Sequence, residues 1–316
     1  MSGSDSSSER ERLGRAEAVM HRLKETAQTQ RAHVNDLVPL YATERLLARV
    51  AVTAEEERLP MALKGGFLIR HLVPAGVRRS TRDADLALAT PLSVGEASDL
   101  FGRAASKPFG DGVIFDPATT KVIPIREQQT GGVSVTMDGK LGKSPIRAKF
   151  DIGFGDAVVP AAYRADLPSL VKTNPNVSML AYRTETMLAE KAETAIWYGL
   201  GNVRQKDIFD LATVPQHVPV AGEDFRQAIA ATFQHRKTAF PTELPATFGE
   251  RYVRDEARRK QWEGFIRNNT DGSRLSLDEA ADRAWRFLAE PIRAAAADKP
   301  FHSVWDATAQ VWVAKA

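Results

Sequence analysis

The stretch 64–88, KGGFLIRHLVPAGVRRSTRDADLAL, gathers residue types that suit phosphate and divalent-metal chemistry. Gly65-Gly66 follows a short apolar run at 59–64 and opens a helix candidate at 67–73. Unhindered backbone N–H groups at a helix N-terminus can meet phosphate. Asp83 and Asp85 form an Asp-x-Asp at the start of a strand expected at 84–89, where residues i and i+2 point to the same side. Two such carboxylates repel by about 1–4 kcal/mol at 4 Å in surface-like to watery dielectrics. A hard cation removes that repulsion, and Mg²⁺ favours a few carboxylates plus substrate phosphates. A third acid, Asp151, sits near the end of an alternating strand at 145–153. A neighbouring strand would bring it beside the pair, giving three acids for metal ions. Each feature alone has a plainer account: a lone DxD is more often a solvated strand edge, and Asp151 a cap. Their combination and order carry more weight.

The surrounding charge suits an anion. Residues 64–82 hold five bases (Lys64, Arg70, Arg78, Arg79, Arg82) and no acid, and 139–150 hold Lys140, Lys143, Arg147 and Lys149 and again no acid. Such runs fit a triphosphate or a nucleic-acid backbone, although a solvated basic face reads the same way. Further on, TETMLAEKAETAI (184–196) places Leu188, Ala192, Ala195 and Ile196 on one helical stripe with Glu185, and Lys191 at its edge. A charged residue turned toward a core has a partner or a job; a first-turn acid and a snorkelling lysine are the ordinary alternatives. In RQKDIFDL (204–211), Asp207 and Asp210 share a helix face, which the helix dipole also explains. Gly142-Lys143-Ser144 resembles the end of a P-loop, but position 137 is Met137 rather than glycine and the segment joins two strands. A Walker-type ATPase is excluded.

These residues need a scaffold. The chain has 316 residues with 43 basic against 40 acidic side chains, and no cysteine, so disulfides, thiolate nucleophiles and Cys-based zinc sites are excluded. The six histidines never fall within five residues of one another. No apolar run approaches the roughly 20 residues of a membrane span, and the N-terminus lacks the apolar core of a signal peptide. The expectation is a soluble, cytoplasmic protein. Residues 1–12 read as a disordered tail, 13–57 as N-terminal helices, 58–178 as a mixed α/β core and 179–316 as a helical domain. Within the core, strands are expected at 112–116, 121–126, 132–137 and 145–153, with a hairpin turn at Asp138-Gly139. From about 184 onward the pattern predicts helices throughout, at roughly 184–200, 204–214, 222–236, 249–268, 276–297 and 302–315.

In spacing and order the chemical blocks resemble the AbiEii/AbiGii-type nucleotidyltransferase toxins of bacterial toxin–antitoxin systems, including the MenT-like group. KGGFLIRHLVPAGVRRSTRDADLAL is similar to the family's LKGG…R-x-[ST]-x-D-x-D block, RTETMLAEKAETAI to its E-x-x-x-AEK block and RQKDIFDL to its KD-x-x-DL block. The likeness spans about 64–214. It implies an α/β (α+β) fold: a polymerase-β-like core with a mixed sheet, then a helical C-terminal domain. It implies that Asp83, Asp85 and Asp151 hold Mg²⁺, with Mn²⁺ as an alternative, and that Asp151 helps deprotonate the attacking hydroxyl. Lys64, Gly65, Gly66, Arg79, Thr81 and Glu185 would bind the NTP, Lys191 its phosphates, and Asp207 would complete the site. The family usually carries Ser or Thr after the glycine pair, where this chain has Phe67. The implied reaction is transfer of NMP to a hydroxyl, with a tRNA 3′ end as acceptor and a cognate antitoxin as partner. A protein hydroxyl as acceptor, or a non-catalytic RNA- or partner-binding role, fits the same residues.

Overall fold

The computed structural model describes residues 3–30, 33–125, 131–270 and 273–315. The chain divides into two compact units. One comprises Met1–His71, Thr81–Gly155 and Arg164–Ala181, the other Leu72–Ser80, Asp156–Tyr163 and Tyr182–Ala316.

The first unit begins with α1 (Gly3–Gln30) and α2 (Val34–Glu56). Residues 3–12, expected to be disordered, are the first turns of α1, and an Arg15–Glu11 ion pair one turn apart supports them. Met1, Ser2 and Arg126, included in that tail and in the 121–126 strand, lie outside the described residues. The N-terminal helices are not a segment of their own, because α2 is buried on nearly all sides from Leu40 to Ala51. Two of its buried charged residues find partners inside: Arg49 makes a two-pronged bond to Asp111 at 2.7 and 3.0 Å, and Glu44 accepts from Ser169 and the Leu170 amide.

There follow β1 (Ala62–Lys64), α3 (Gly65–Leu72), β2 (Ala84–Leu88), α4 (Val94–Ala105), β3 (Val113–Phe115), β4 (Lys121–Pro124), β5 (Gly132–Leu141), β6 (Ser144–Phe154), β7 (Tyr163–Leu167) and β8 (Val177–Ala181). The strands form one mixed sheet in the order β3-β5-β6-β2-β1-β8-β7, with β4 paired to β5 as well. At its centre β2 and β6 run parallel, while β1 is antiparallel to β2. Leu86, Phe150 and Ile152 are fully buried, with Phe101 of α4 packed edge-on against Phe150 at 5.0 Å. By strand alternation the residues between them face the other way, and Asp85, Lys149 and Asp151 belong to that set.

Within this unit the sequence pattern misplaced one turn and missed one helix and two strands. The β5–β6 turn falls at Gly142, at φ +60°, while Asp138 and Gly139 lie inside β5 opposite Arg147 and Ile146. Gly139 serves a close approach instead: a Cβ there would stand 2.5 Å from the Ile114 carbonyl oxygen of β3. The helix α4 and the strands β7 and β8 were not anticipated, although Ser93 and Glu96 form a complete capping box at the start of α4.

The second unit contains α5 (Thr184–Tyr198), α6 (Gln205–Thr213), α7 (Gly222–Arg236), α8 (Glu250–Val253), α9 (Glu256–Asn269), α10 (Leu277–Ala296), β9 (Ser303–Asp306) and β10 (Val311–Ala314). The helix expected at 249–268 is split where Asp255 caps α9 through the Arg258 amide. The expected last helix is a hairpin, with Trp305 and Trp312 in register. Both rings pack on Phe287, at 5.1 and 5.4 Å between centroids. Among the described residues no helix is long and apolar enough to cross a membrane.

Candidate active site

In the α/β unit the site is built by register. Asp85 and Asp151 are direct partners across the parallel β2–β6 pair, so their side chains rise from the same face of the sheet. Asp83 stands two residues before Asp85, just ahead of β2. Thr81 donates to the Asp83 carbonyl at 3.3 Å, and Thr43 of α2 donates to the Arg82 carbonyl at 2.7 Å. The approach to β2 is thereby fixed on both sides.

Gly65 shows why a glycine opens α3. Its φ is +69°, and a Cβ there would lie 2.0 Å from Asp85 Oδ2 and 2.6 Å from its Cγ. The Asp85 carboxylate therefore rests directly on the glycine α-carbon, at the N-terminal end of α3. Lys64, the register partner of Asp85 on β1, completes this corner. Phe67, in place of a hydroxyl residue, is buried and stacks obliquely on His71 at 5.6 Å.

Sequence reasoning counted Lys149 only as one base in a run. In the structure its ammonium stands between two of the acids, donating to Asp83 Oδ2 at 2.9 Å and to Asp151 Oδ2 at 3.2 Å. Partial burial works to lower its pKa, but the two carboxylates outweigh that and hold it above the ordinary lysine value. The spacing of two residues to Asp151 on one strand was the available signal.

A hard divalent cation fits this donor set. All the donors are carboxylate oxygens, and a positive group already bridges two of them. Among the described residues no three acidic or histidine side chains stand close enough to enclose an ion as they are placed. The ammonium lies between Asp83 and Asp151, and Asp85 lies against Gly65. The basic runs are more committed than their count suggests. Arg147 pairs with Asp138 and Arg82 with Asp36, while Arg70 donates to Gln30.

The helical unit holds a separate charge cluster on α5 and α6. Lys191 is buried, with Nζ 2.6 Å from Asp207 Oδ1 and 2.9 Å from Asp210 Oδ2. Arg79 forms a two-pronged bond to Asp210 at 2.8 and 2.9 Å, and Arg204 reaches Asp207 at 2.6 Å. Burial pushes the Asp207 carboxyl up, but Lys191 and Arg204 overcome it and hold it well below the usual range. For Lys191 burial acts downward and is outweighed by Asp207 and Asp210, so it stays charged. Glu185, in the first turn of α5, accepts from the Ala221 amide at 3.3 Å, and burial raises its pKa. Asp210, a helix-face neighbour of Asp207, joins this cluster through Arg79 and Lys191.

Residues 45–290 match the family model described as Nucleotidyl transferase AbiEii toxin, Type IV TA system. Among solved structures the chain is similar in fold to MenT4, a nucleotidyltransferase toxin from Mycobacterium tuberculosis. That match has a TM-score of 0.52 and 14% identity, and covers 88% of this chain and 99% of that one. JHP933 from Helicobacter pylori matches with a TM-score of 0.44 and 16% identity, over 81% of this chain and 91% of that one. No curated protein sequence matches the chain.

Proposed function

This chain belongs to the AbiEii nucleotidyl transferase toxin family of type IV toxin–antitoxin systems, and we propose that it transfers NMP from an NTP to a tRNA 3′-terminal hydroxyl, using Mg²⁺ or Mn²⁺ held by Asp83, Asp85 and Asp151. One observation supports the reading most. Asp85 and Asp151 are paired across parallel strands, and a cationic group sits between Asp151 and Asp83. A divalent cation on these carboxylates would neutralise the triphosphate and the departing pyrophosphate.

The chain's own groups supply position and charge. Gly65 and Gly66 offer backbone N–H groups at the start of α3 to phosphate, and Lys64 adds a positive charge beside them. Thr81 fixes Asp83 from behind. The acceptor oxygen attacks the α-phosphorus as the bond from that phosphorus to the pyrophosphate bridging oxygen breaks. The hydroxyl proton passes to the Asp151 carboxylate. Held reactants and matched charge are sufficient for such a transfer, with no covalent protein intermediate. On the family likeness alone, Lys191 and Arg79 are proposed to serve the phosphates, with Asp207 and Glu185 as supporting carboxylates. Blocking tRNA ends would stop translation in the cytoplasm, under restraint by a cognate antitoxin.

Label transfer tests this directly. The protein is incubated with Mg²⁺, each α-³²P NTP in turn, total RNA and lysate protein, beside Asp83→Ala. Label on a tRNA-sized band with one nucleotide, absent from the variant, is the expected result. Label on a protein band would replace tRNA with a protein hydroxyl. No label under any condition, with toxicity kept in Asp83→Ala, would overturn the reading.

A further inference from the structure

The ammonium of Lys149 occupies the ground between Asp83 and Asp151 that a bridging cation would need. It donates to one oxygen of each, at 2.9 and 3.2 Å. The side chain is anchored on β6 two residues before Asp151 and remains 38% exposed, so it has room to leave. Resting on the metal-site reading above, we infer that Lys149 is a built-in counter-ion of the catalytic acids. It neutralises them in the metal-free protein, and a divalent cation must displace it to bind.

The alternative role for the same contacts is a fixed brace that shapes the acids for the metal. The two roles differ in sign. A brace, once removed, lets the carboxylates drift and weakens metal binding. A competitor, once removed, leaves a more negative and open seat and strengthens it. Monovalent and divalent ions seek the same oxygens, and the divalent ion gains more from each, so exchange favours it when both are present.

The test measures Mn²⁺ binding to the full chain without nucleotide, by electron paramagnetic resonance titration. Wild type, Lys149→Met, Lys149→Gln and Asp83→Asn are compared. Both lysine variants are expected to bind Mn²⁺ about tenfold more tightly than wild type, and Asp83→Asn more weakly. Lys149→Gln keeps a polar side chain of similar reach and stands in if Lys149→Met fails to fold. A second readout is amine acetylation of wild type at Lys149, followed by mass spectrometry, expected to rise several-fold when Mg²⁺ is added. Unchanged or weaker Mn²⁺ binding by the lysine variants, or no rise in acetylation, would overturn the counter-ion role. If Asp83→Asn still weakened Mn²⁺ binding, the metal site itself would survive that result. Equal Mn²⁺ binding by all four proteins would remove the metal site and the counter-ion role together.

Discussion

At Gly65 two demands coincide: a left-handed φ and a carboxylate lying on its α-carbon. Gly65→Ala should cost about 1–2 kcal/mol of stability through backbone strain. It should also push Asp85 out of place, because no Cβ fits 2.0 Å from a carboxylate oxygen. The expected outcome is a lowered melting midpoint together with loss of label transfer; an active variant would show that Asp85 need not rest there. Asp85→Asn separates charge from shape. It keeps the side-chain volume, so the metal-free midpoint should hold, while transfer falls about 10³-fold, roughly 4 kcal/mol of charge stabilisation. A midpoint drop of many degrees would mean that Asp85 is structural first. Asp85 and Asp151 were readable as strand carboxylates because both runs alternate; Asp83, just ahead of β2, was not. Nor was the place of Lys149 readable, since a count of bases does not reveal which acids they meet.

Among the elements, α5 and α6 show how a motif can hide a fold requirement. Lys191 lies between two buried carboxylates; Lys191→Met leaves them to Arg204 and Arg79 alone and, by breaking a buried charge network, should destabilise the protein by up to about 3–5 kcal/mol. Urea denaturation checks this, and lost activity in that variant speaks to chemistry only where folding is intact. A variant as stable as wild type would free Lys191 from the structural role. On α7, Glu223 is held down to about 2, first by Arg226, with burial opposing, and then by the Phe301 amide. A carboxyl depressed in the folded state stabilises above its unfolded value and loses that contribution as protons bind. The stability gap between wild type and Glu223→Gln should therefore shrink as the pH falls from 4.5 toward 2. A pH-independent gap would show that only the hydrogen bonds count. The helices α5, α7 and α10 were readable to within a few residues, whereas α4 was not, despite its complete capping box. The last hairpin was not, because Val304-Trp305 and Val311-Trp312-Val313, separated by a short turn, also fit a helical stripe. The turn chemistry decides: Asp306 accepts from the Thr308 and Ala309 amides, and Gln310 takes φ +54°.

Over the whole molecule, the order of strands was the least legible feature. Lys149 and Asp83 meet across 66 residues, and no local pattern states that β6 lies beside β2 rather than at an edge. The alternation of β6 predicted a strand with Asp151 near its end; only the sheet order makes Asp85 its partner. The net charge of +3 was similarly uninformative. Several bases counted toward anion binding are matched within the fold, as Arg79 is by Asp210 and Arg147 by Asp138. On the proposed reading, these matched bases contribute less to binding a triphosphate, and a bound cation and the N-terminal end of α3 would contribute more. That dependence can be read in stability without any acceptor or nucleotide. A cation that binds only the folded chain raises its stability by about 2.7 kcal/mol at one hundred times its dissociation constant. Mg²⁺ should therefore raise the wild-type melting midpoint by several degrees, and leave the Asp83→Asn/Asp85→Asn double variant where it was. Equal shifts in the two proteins would place the bound Mg²⁺ elsewhere, and the three carboxylates would then lose their claim to it.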